Sequence, residues 1–291
     1  MIMDKCNICP RECNTDRAKN AGFCKAGNDV YIAHTMLHHW EEPSISGKNG
    51  SGAIFFSGCT LRCVYCQNKK ISHDQVGTAM TPKDLGNTFL NMQDKGANNI
   101  NLITPTHFVP QIIQALDLVK NKLKIPVVYN TSGYEKVETI KMLSGYIDIY
   151  LPDFKYFDND IAKKYSNAPD YCLYASRAIK EMYRQVGEYT EDENGILKKG
   201  LIIRHLVLPN CRHDSVKILE IIKNTVPIGN IRLSLMSQYT PFFADQRFKE
   251  LQRKITTFEY DYVLNKAIEM GYRGFFQKRE SASKEYTPDF L

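Results

Sequence analysis

The sequence predicts an α/β protein, a partial (β/α)6 barrel preceded by a small N-terminal Cys-rich metal-binding segment. Two observations predict this fold. Six short apolar runs alternate with six amphipathic stretches from residue 52 onward, and such alternation produces a parallel sheet wound by right-handed crossovers. Residues 1–50, in contrast, lack a long periodic segment and hold four of the nine cysteines. The predicted division is therefore an N-terminal segment, 1–50, and a core barrel with a C-terminal extension, 51–291.

The predicted strands are rich in β-branched and aromatic residues, and several are apolar on both faces, as strands of a buried parallel sheet are. They cover residues 52–58, 98–104, 126–131, 148–154, 201–209 and 231–237. The predicted helices carry apolar residues at helical spacing, and the first begins with a capping Thr81 followed by Pro82. They cover residues 81–96, 108–122, 134–144, 171–186, 213–225 and 259–270.

Three further segments have less regular patterns. Residues 187–200 are polar and charged, which predicts a surface loop. Residues 271–277 are a candidate for one more strand, and Tyr286–Phe290 either covers the barrel opening or forms a tail.

Composition and charge exclude several classes of protein. The chain has 291 residues and a net charge of +6, but its Lys and Arg residues are scattered among acidic ones, so we do not expect a nucleic-acid partner. Apolar runs such as AIFF at 53–56 are far shorter than the roughly 18–20 residues of a membrane helix. The N-terminus lacks the basic-then-apolar pattern of a signal peptide. The sequence therefore predicts a cytoplasmic protein without a membrane partner.

Directly after the first predicted strand the chain reads SGCTLRCVYCQN, which contains Cys59, Cys63 and Cys66. In a reducing compartment such closely spaced thiols favour metal binding or catalysis over disulfides, and soft thiolates select zinc or iron–sulfur clusters. A closed site needs four ligands, so three leave one position open for chemistry. The structural alternative is a zinc knuckle completed by His34 or His73.

The pattern Cys-x3-Cys-x2-Cys, with Tyr65 before the third cysteine, resembles the signature of the radical S-adenosylmethionine (SAM) superfamily. The resemblance implies a partial barrel of the TIM type and a 4Fe–4S cluster on the three cysteines, which form the catalytic centre. It implies that the open iron binds the amino and carboxylate groups of SAM. An electron from the reduced cluster then cleaves SAM to a 5′-deoxyadenosyl radical, which abstracts a substrate hydrogen.

Motifs further along the chain resemble those of pyruvate formate-lyase activating enzyme and its relatives, across roughly residues 52–241. CVYCQN is typical of that group, and NTSG, PDFK and IRHLVLP are similar to motifs that follow or form its strands. The resemblance implies that Lys155 and Arg204 contact SAM. It also implies that the methionine-carboxylate end, where relatives can hold a monovalent cation, is lined by Asn130, Thr131 and Asp153, with Ser132 in the same turn.

Chemical reasoning supports these assignments independently, because a carboxylate benefits from cationic donors and a ribose from hydroxyl and amide partners. Arg204 lies inside an apolar run, where an unpaired charge is costly, so it requires an anionic partner. Lys155 follows an apolar run beside Asp153, and the alternative for it is a solvated lysine.

One motif departs from the family. Its members normally carry Gly-Gly-Glu after the second strand, which binds the amino group of SAM, whereas this chain has Thr104-Pro105-Thr106-His107. The hydroxyl of Thr104 or Thr106, a backbone carbonyl or His107 takes over that contact, or His107 only begins a helix. This departure indicates a divergent subgroup.

A second cysteine motif lies near the N-terminus, with spacings x2, x3 and x10 between Cys6, Cys9, Cys13 and Cys24. Four thiolates form a complete ligand set, and a segment this small cannot bury enough apolar surface to fold alone. The sequence favours an auxiliary 4Fe–4S cluster over structural zinc. A cluster would relay electrons or anchor a substrate, whereas zinc would only fold the segment. Arg11 and Arg17 either stabilise this site or are exposed.

The predicted function is therefore hydrogen abstraction by a SAM-derived radical, with a reducing partner such as flavodoxin or ferredoxin. The hydrogen donor is either a glycine in a glycyl-radical enzyme or another peptide, small molecule or RNA. The non-catalytic alternative is an iron–sulfur electron carrier or regulator. Polar residues at successive strand ends argue against that alternative, since a carrier needs no polar barrel mouth.

Overall fold

The computed structural model describes residues 5–277, which contain a ten-stranded sheet. The strands are β1 (Val30–His38), β2 (Ser51–Phe56), β3 (Thr78–Met80), β4 (Ile100–Ile103), β5 (Val127–Thr131), β6 (Ile149–Pro152), β7 (Thr190–Glu191), β8 (Leu197–Leu206), β9 (Arg232–Met236) and β10 (Gly274–Phe276). The helices are α1 (Pro43–Ser46), α2 (Lys69–Ser72), α3 (Pro82–Asp94), α4 (Val109–Val119), α5 (Val137–Met142), α6 (Asn159–Ser166), α7 (Tyr171–Val186), α8 (Arg212–Thr225) and α9 (Thr257–Glu269).

Six consecutive parallel strands form the centre of the sheet, in the order β2-β4-β5-β6-β8-β9. All residues of β2, β5 and β6 are buried, because helices and loops cover both faces of a parallel sheet. The α/β prediction with six barrel strands is therefore confirmed. The candidate strand at 271–277 is also present, since β10 pairs in parallel with β9.

Two predictions about local structure were wrong. The sequence analysis assigned no regular element to residues 1–50, but β1 pairs antiparallel with β2 and continues the sheet. Most residues of β1 are half-buried, so buried and exposed positions alternate clearly only at its first residues. Backbone pairing with β2, rather than a buried face, holds the strand in the sheet. Helix α6 was also missed. The Asp158 side chain caps it by accepting hydrogen bonds from the backbone of Asp160 and Ile161.

The remaining segments are as follows. The predicted surface loop at 187–200 contains the β7–β8 hairpin, with both residues of β7 exposed and Leu197 buried. None of the described helices is long and apolar enough to cross a membrane. Tyr286–Phe290 lies outside the described residues, so its predicted alternatives stay open.

The parallel strands direct the loops that follow them to one edge of the sheet, where functional residues of such folds lie. The turn after β5 illustrates how tightly these loops pack. Gly133 has a φ of 79°, and a Cβ atom there would overlap the carbonyl oxygen of Asp153 and lie 2.9 Å from the Tyr171 hydroxyl. A glycine at this position therefore lets the loop after β5 approach the end of β6.

We expect Gly133→Ala to destabilise the fold more than Gly145→Ala does. Both glycines have a left-handed φ, 79° and 83°, so each alanine costs about 1–2 kcal/mol in backbone strain. No heavy atom lies within 4 Å of a Cβ built at Gly145. The overlap at Gly133 should add a further ~1–3 kcal/mol, measured as the free energy of chemical unfolding. Equal losses in the two variants would show that the loop after β5 is not closely packed.

Candidate active site

A cavity of about 260 Å³ lies at the carboxyl edge of the parallel strands. It brings together eleven of the twelve residues that the sequence placed at the SAM site: Cys59, Cys63, Tyr65, Cys66, Thr104, Asn130, Thr131, Ser132, Asp153, Lys155 and Arg204. The twelfth, Thr106, does not line the cavity. Residues from the loop after β2 and from the ends of β4, β5, β6 and β8 thus surround one space.

The three-cysteine loop holds its thiols in a partly polar environment. The Cys59 Sγ accepts hydrogen bonds from the backbone N–H groups of Leu61 and Arg62 at 3.3 and 3.5 Å. The Ser72 hydroxyl donates to the Cys66 Sγ at 3.3 Å. Burial, together with the neighbouring thiols, raises the pKa of Cys59 to about 12 and also raises that of Cys66. A metal bound here would require the thiolate form, so its binding would release protons.

Tyr65, which belongs to the same loop, is held in place by other hydroxyl groups. Its hydroxyl lies 2.7 Å from that of Tyr156, which in turn lies 2.8 Å from the Ser166 hydroxyl. The ring of Tyr65 is buried and borders the cavity. This chain of hydroxyls satisfies its polar end, so the ring packs without an unpaired buried group.

The cavity is also lined by a cluster of charges centred on Asp153. Lys155 Nζ donates to Asp153 Oδ2 at 2.6 Å, and Arg204 Nε donates to Asp153 Oδ1 at 2.9 Å. Although burial opposes ionisation, Arg204 and Lys155 hold the pKa of Asp153 below its usual range. Asp153 accepts only one of the three donors of the Lys155 ammonium, which leaves two for an added ligand.

Glu41 was missed by the sequence analysis, although it contributes directly to this cluster. It follows β1, which runs opposite to β2, and its Oε2 lies 3.2 Å from Arg204 Nη1. Its Oε1 accepts hydrogen bonds from Asn101 and Asn130 at 3.2 and 3.4 Å. The signal for it was the sequence HHWEEP, in which adjacent carboxylates precede the proline of a short helix.

Arg204 has the anionic partners that its position required, and they come from the protein itself. Three of its five donors are used, by Asp153, by Glu41 and by Asn130 Oδ1 at 2.6 Å. The guanidinium also borders the cavity. Its contacts therefore fix the side chains of Asp153 and Asn130.

Three side chains are candidates to replace the Gly-Gly-Glu motif. Thr104 borders the cavity, and the positive φ of 58° at this residue directs its side chain toward the cavity. Thr106 points away and donates to Glu135 at 2.6 Å. His107 lies in a 3₁₀ turn, with its Nε2 2.8 Å from the Ser57 carbonyl oxygen. Burial lowers the pKa of His107 to about 3. Of the three, Thr104 therefore borders the cavity, whereas Thr106 and His107 form hydrogen bonds elsewhere.

The N-terminal cysteines also lie next to one another. Cys6, Cys9 and Cys24 are buried and Cys13 is exposed. Burial, together with the nearby Cys24 and Cys6, raises the pKa of Cys9 to about 12. A Cβ atom built on Gly22 would lie 3.3 Å from the Cys13 Sγ and 3.7 Å from the Cys24 Sγ. The four thiols predicted as ligands thus occupy one small region.

As placed, no three His, Cys, Asp or Glu side chains within residues 5–277 form a group that holds a single metal ion.

Comparison with known proteins finds a family match for the part of the chain that includes the three-cysteine loop. Residues 53–187 match the sequence model of the Radical SAM superfamily. The chain is 29% identical over 281 residues to the uncharacterized protein MJ0674 of Methanocaldococcus jannaschii, covering 92% of this chain and 75% of that protein. Residues 53–187 are therefore similar to a radical SAM superfamily domain.

A solved structure shares the fold at low sequence identity. A radical SAM methyltransferase from Sphaerobacter thermophilus has a TM-score of 0.52 and 10% identity, covering 78% of this chain and 66% of that one. SuiB of Streptococcus suis has a TM-score of 0.49 and 15% identity, covering 79% of this chain and 50% of that one. The chain thus spans just under two thirds of the methyltransferase and half of SuiB.

Glu135 is a second residue that the sequence analysis missed, and its burial should make stability depend on pH. It is fully buried, and the hydroxyls of Thr106, Thr131 and Tyr129 donate to its Oε1. Its Oε2 has no hydrogen-bond partner within residues 5–277. Burial, opposed by the hydroxyl donors, raises the pKa of Glu135 from 4.5 to about 7.

A raised folded-state pKa means that stability is fully present below pH 4.5 and is lost as the pH rises through about 7. The loss should be on the order of 3 kcal/mol. We expect Glu135→Gln to remove this decline, since an amide keeps the acceptor and does not ionise. The measurement is the free energy of chemical unfolding between about pH 5 and pH 8. The exposed Glu138→Gln is the control, and a decline that persists in Glu135→Gln would assign it to other groups.

Proposed function

We propose that this chain is an enzyme that reductively cleaves SAM and uses the resulting radical to take a hydrogen atom from a polypeptide. The observation that carries the proposal is the single cavity bordered by Cys59, Cys63 and Cys66 on one side and by the charges of Asp153, Lys155 and Arg204 on the other. Neither an electron carrier nor a structural zinc protein needs a charged cavity beside its thiols.

In this proposal each group has a defined role. Cys59, Cys63 and Cys66 hold a 4Fe–4S cluster, with backbone and Ser72 donors supporting the thiolates. When bound, that cluster supplies an open iron and one electron that breaks the S–C5′ bond of SAM, giving methionine and a 5′-deoxyadenosyl radical that becomes 5′-deoxyadenosine on taking the substrate hydrogen. Flavodoxin or ferredoxin is the expected reductant, and the cytoplasm the expected location.

The protein residues bind and orient the cosubstrate. Lys155 donates its two remaining N–H groups to the methionine carboxylate, while Asp153 holds the ammonium in place. Arg204 fixes Asp153 and Asn130 and has two further donors within the cavity. Thr104 is the contact that replaces the family's Gly-Gly-Glu motif, and Tyr65, Thr131 and Ser132 complete the wall.

The size of the cavity supports a polypeptide substrate. Its 260 Å³ lies below the roughly 300–1,000 Å³ of typical ligand pockets, so SAM alone would occupy most of it. The hydrogen donor must then be presented from outside, as a projecting backbone segment can be. The motifs CVYCQN, NTSG and PDFK support a glycine of a glycyl-radical enzyme as that donor.

We further propose that Cys6, Cys9, Cys13 and Cys24 bind an auxiliary 4Fe–4S cluster. The proximity of these thiols supports their binding one shared metal centre, and four thiolates are the usual ligand set of a 4Fe–4S cluster.

Cys63→Ala tests the loop cluster. After anaerobic reconstitution with iron and sulfide we expect the wild type to hold about eight irons and this variant about four. With SAM and dithionite, the variant should form no 5′-deoxyadenosine. Cys172→Ala, which removes a cysteine on α7 far from both motifs in sequence, should retain both properties. Undiminished 5′-deoxyadenosine from Cys63→Ala would contradict the catalytic assignment.

Lys155→Ala tests the carboxylate contact. Loss of a charge-assisted hydrogen bond costs about 1.5–3 kcal/mol, so we expect the Kd for SAM to rise at least about tenfold. Iron content should stay unchanged, because Lys155 is not a ligand. The exposed Lys163→Ala on α6 is the matched control. An unaltered SAM Kd, measured by equilibrium dialysis, would refute the role of Lys155.

A further inference from the structure

Glu41 brings a carboxylate to the cavity from a segment that precedes the parallel strands. It lies between β1, which ends at His38, and α1, which begins at Pro43. Its side chain is only 10% exposed. Among the described residues, Glu41 and Asp153 are the two carboxylates that border the cavity. Glu41 therefore places a negative charge in the cavity wall that none of the parallel strands supplies.

Hydrogen bonds hold the backbone of this segment in place. Ser46 Oγ accepts from the backbone N–H of Glu41 at 3.0 Å and donates to the His38 carbonyl oxygen at 3.2 Å. Asn99, directly before β4, donates to the Ile45 carbonyl oxygen at 2.8 Å. The segment is thereby tied to the start of a barrel strand, so the folded chain itself positions the Glu41 carboxylate.

The hydrogen bonds that Glu41 accepts are long for an ionised carboxylate. Its oxygens lie 3.2 Å from Arg204 and 3.2 and 3.4 Å from Asn101 and Asn130, whereas charge-assisted N–H···O bonds usually measure about 2.7–2.9 Å. Asp153 has its contacts at 2.6 and 2.9 Å. A carboxylate accepts about four hydrogen bonds. Glu41 therefore keeps capacity to interact with a ligand in the cavity.

Carboxylates outnumber cations around Arg204. Asp153, Glu42 and Glu41 all act on its charge, and Lys155 is the second cation of the cluster. When the three carboxylates are ionised, three negative charges face two positive ones. The cluster then lacks one positive charge.

No other described residue that borders the cavity supplies this charge. His38 is the remaining basic side chain there, and burial, with the charges of His39 and Arg204, lowers its pKa. It therefore contributes little positive charge at neutral pH. Burial also raises the pKa of Glu41, because its ionised form is incompletely compensated. A ligand with a net positive charge would supply that compensation.

We propose that Glu41 makes the cavity selective for a ligand with a net positive charge, and thus for SAM over its neutral thioether, S-adenosylhomocysteine. The two molecules share the adenosine, amino and carboxylate groups and differ in the sulfonium methyl, which carries the additional charge. Contacts to the shared groups, such as that of Lys155, do not separate them. Glu41 does, because charges interact more strongly in a buried cavity than in water. The identity of the ligand rests on the proposed function.

The test measures equilibrium binding to the full-length protein, reconstituted with iron and sulfide and kept without reductant so that SAM stays intact. The probes are SAM, S-adenosylhomocysteine and sinefungin, in which an aminated carbon replaces the sulfonium and keeps its positive charge. A nearby opposite charge shifts an ionisation equilibrium by roughly one to three powers of ten. We therefore expect the wild type to bind SAM and sinefungin at least about tenfold more tightly than S-adenosylhomocysteine.

Three variants assign this preference to the charge of Glu41. Glu41→Gln keeps the size of the side chain but not its charge, and its Kd values for SAM and S-adenosylhomocysteine should become nearly equal at unchanged iron content. Glu41→Asp retains the charge and should restore most of the preference, which a purely structural role would not predict. Glu193→Gln, at an exposed position in the β7–β8 hairpin, is the control and should bind as the wild type does.

The outcomes separate this inference from the proposed function. A wild type with equal Kd values for SAM and S-adenosylhomocysteine would overturn the role of Glu41 even if a variant fails to fold, and so would a Glu41→Gln that keeps the full preference. Sinefungin binding as weakly as S-adenosylhomocysteine would assign the preference to the sulfonium rather than to net charge, which also contradicts the inference. No binding of any of the three ligands would reject the proposed function itself.

Discussion

The geometry of the cavity depends on the buried ion pair between Asp153 and Arg204. These residues are neighbours across β6 and β8, where they form an isolated bridge, and their side chains are only 14% and 16% exposed. Removing two charges from water costs several kcal/mol for each, which their attraction offsets only if the remaining hydrogen-bonding groups are satisfied. Glu41 and Asn130 provide those partners. The pair therefore ties the ends of β5, β6 and β8 and the segment after β1 into one wall.

The same pair determines which charges remain for a ligand. Arg204 and Lys155 contribute two positive charges against the carboxylates of Asp153, Glu41 and Glu42. Burial raises the pKa of Glu41 and Glu42, and the attraction of Arg204 opposes that rise. SAM carries two cationic groups and one carboxylate, so its net charge is positive. In the proposed function, binding of this cation would favour the ionised form of Glu41, which borders the cavity together with Asp153.

Local sequence was sufficient for the residues at the carboxyl ends of parallel strands, because those ends meet at one edge whatever the details of the loops. Cys59, Asn130, Asp153 and Lys155 share the cavity for this reason. Glu41 could not be predicted in this way, since it reaches the cavity from an antiparallel strand whose alternation is weak. Thr104 borders the cavity and Thr106 does not. This difference follows from the positive φ at Thr104, a backbone conformation that a threonine in the sequence does not indicate.

The N-terminal segment is in direct contact with the three-cysteine loop and with the barrel. Arg11 Nε donates to the Thr60 carbonyl oxygen at 2.9 Å. Sequence left Arg11 and Arg17 as either exposed or close to the thiolates, but Arg17 is 2% exposed and donates to backbone carbonyls of Gly27 and His107. Both arginines thus connect the segment to the barrel rather than to solvent. Because the backbone N–H of Cys59 donates to the Cys24 carbonyl oxygen, the position of the three-cysteine loop depends on how this segment folds. In the proposed function, a metal centre held by its four thiolates would therefore help to order the active site.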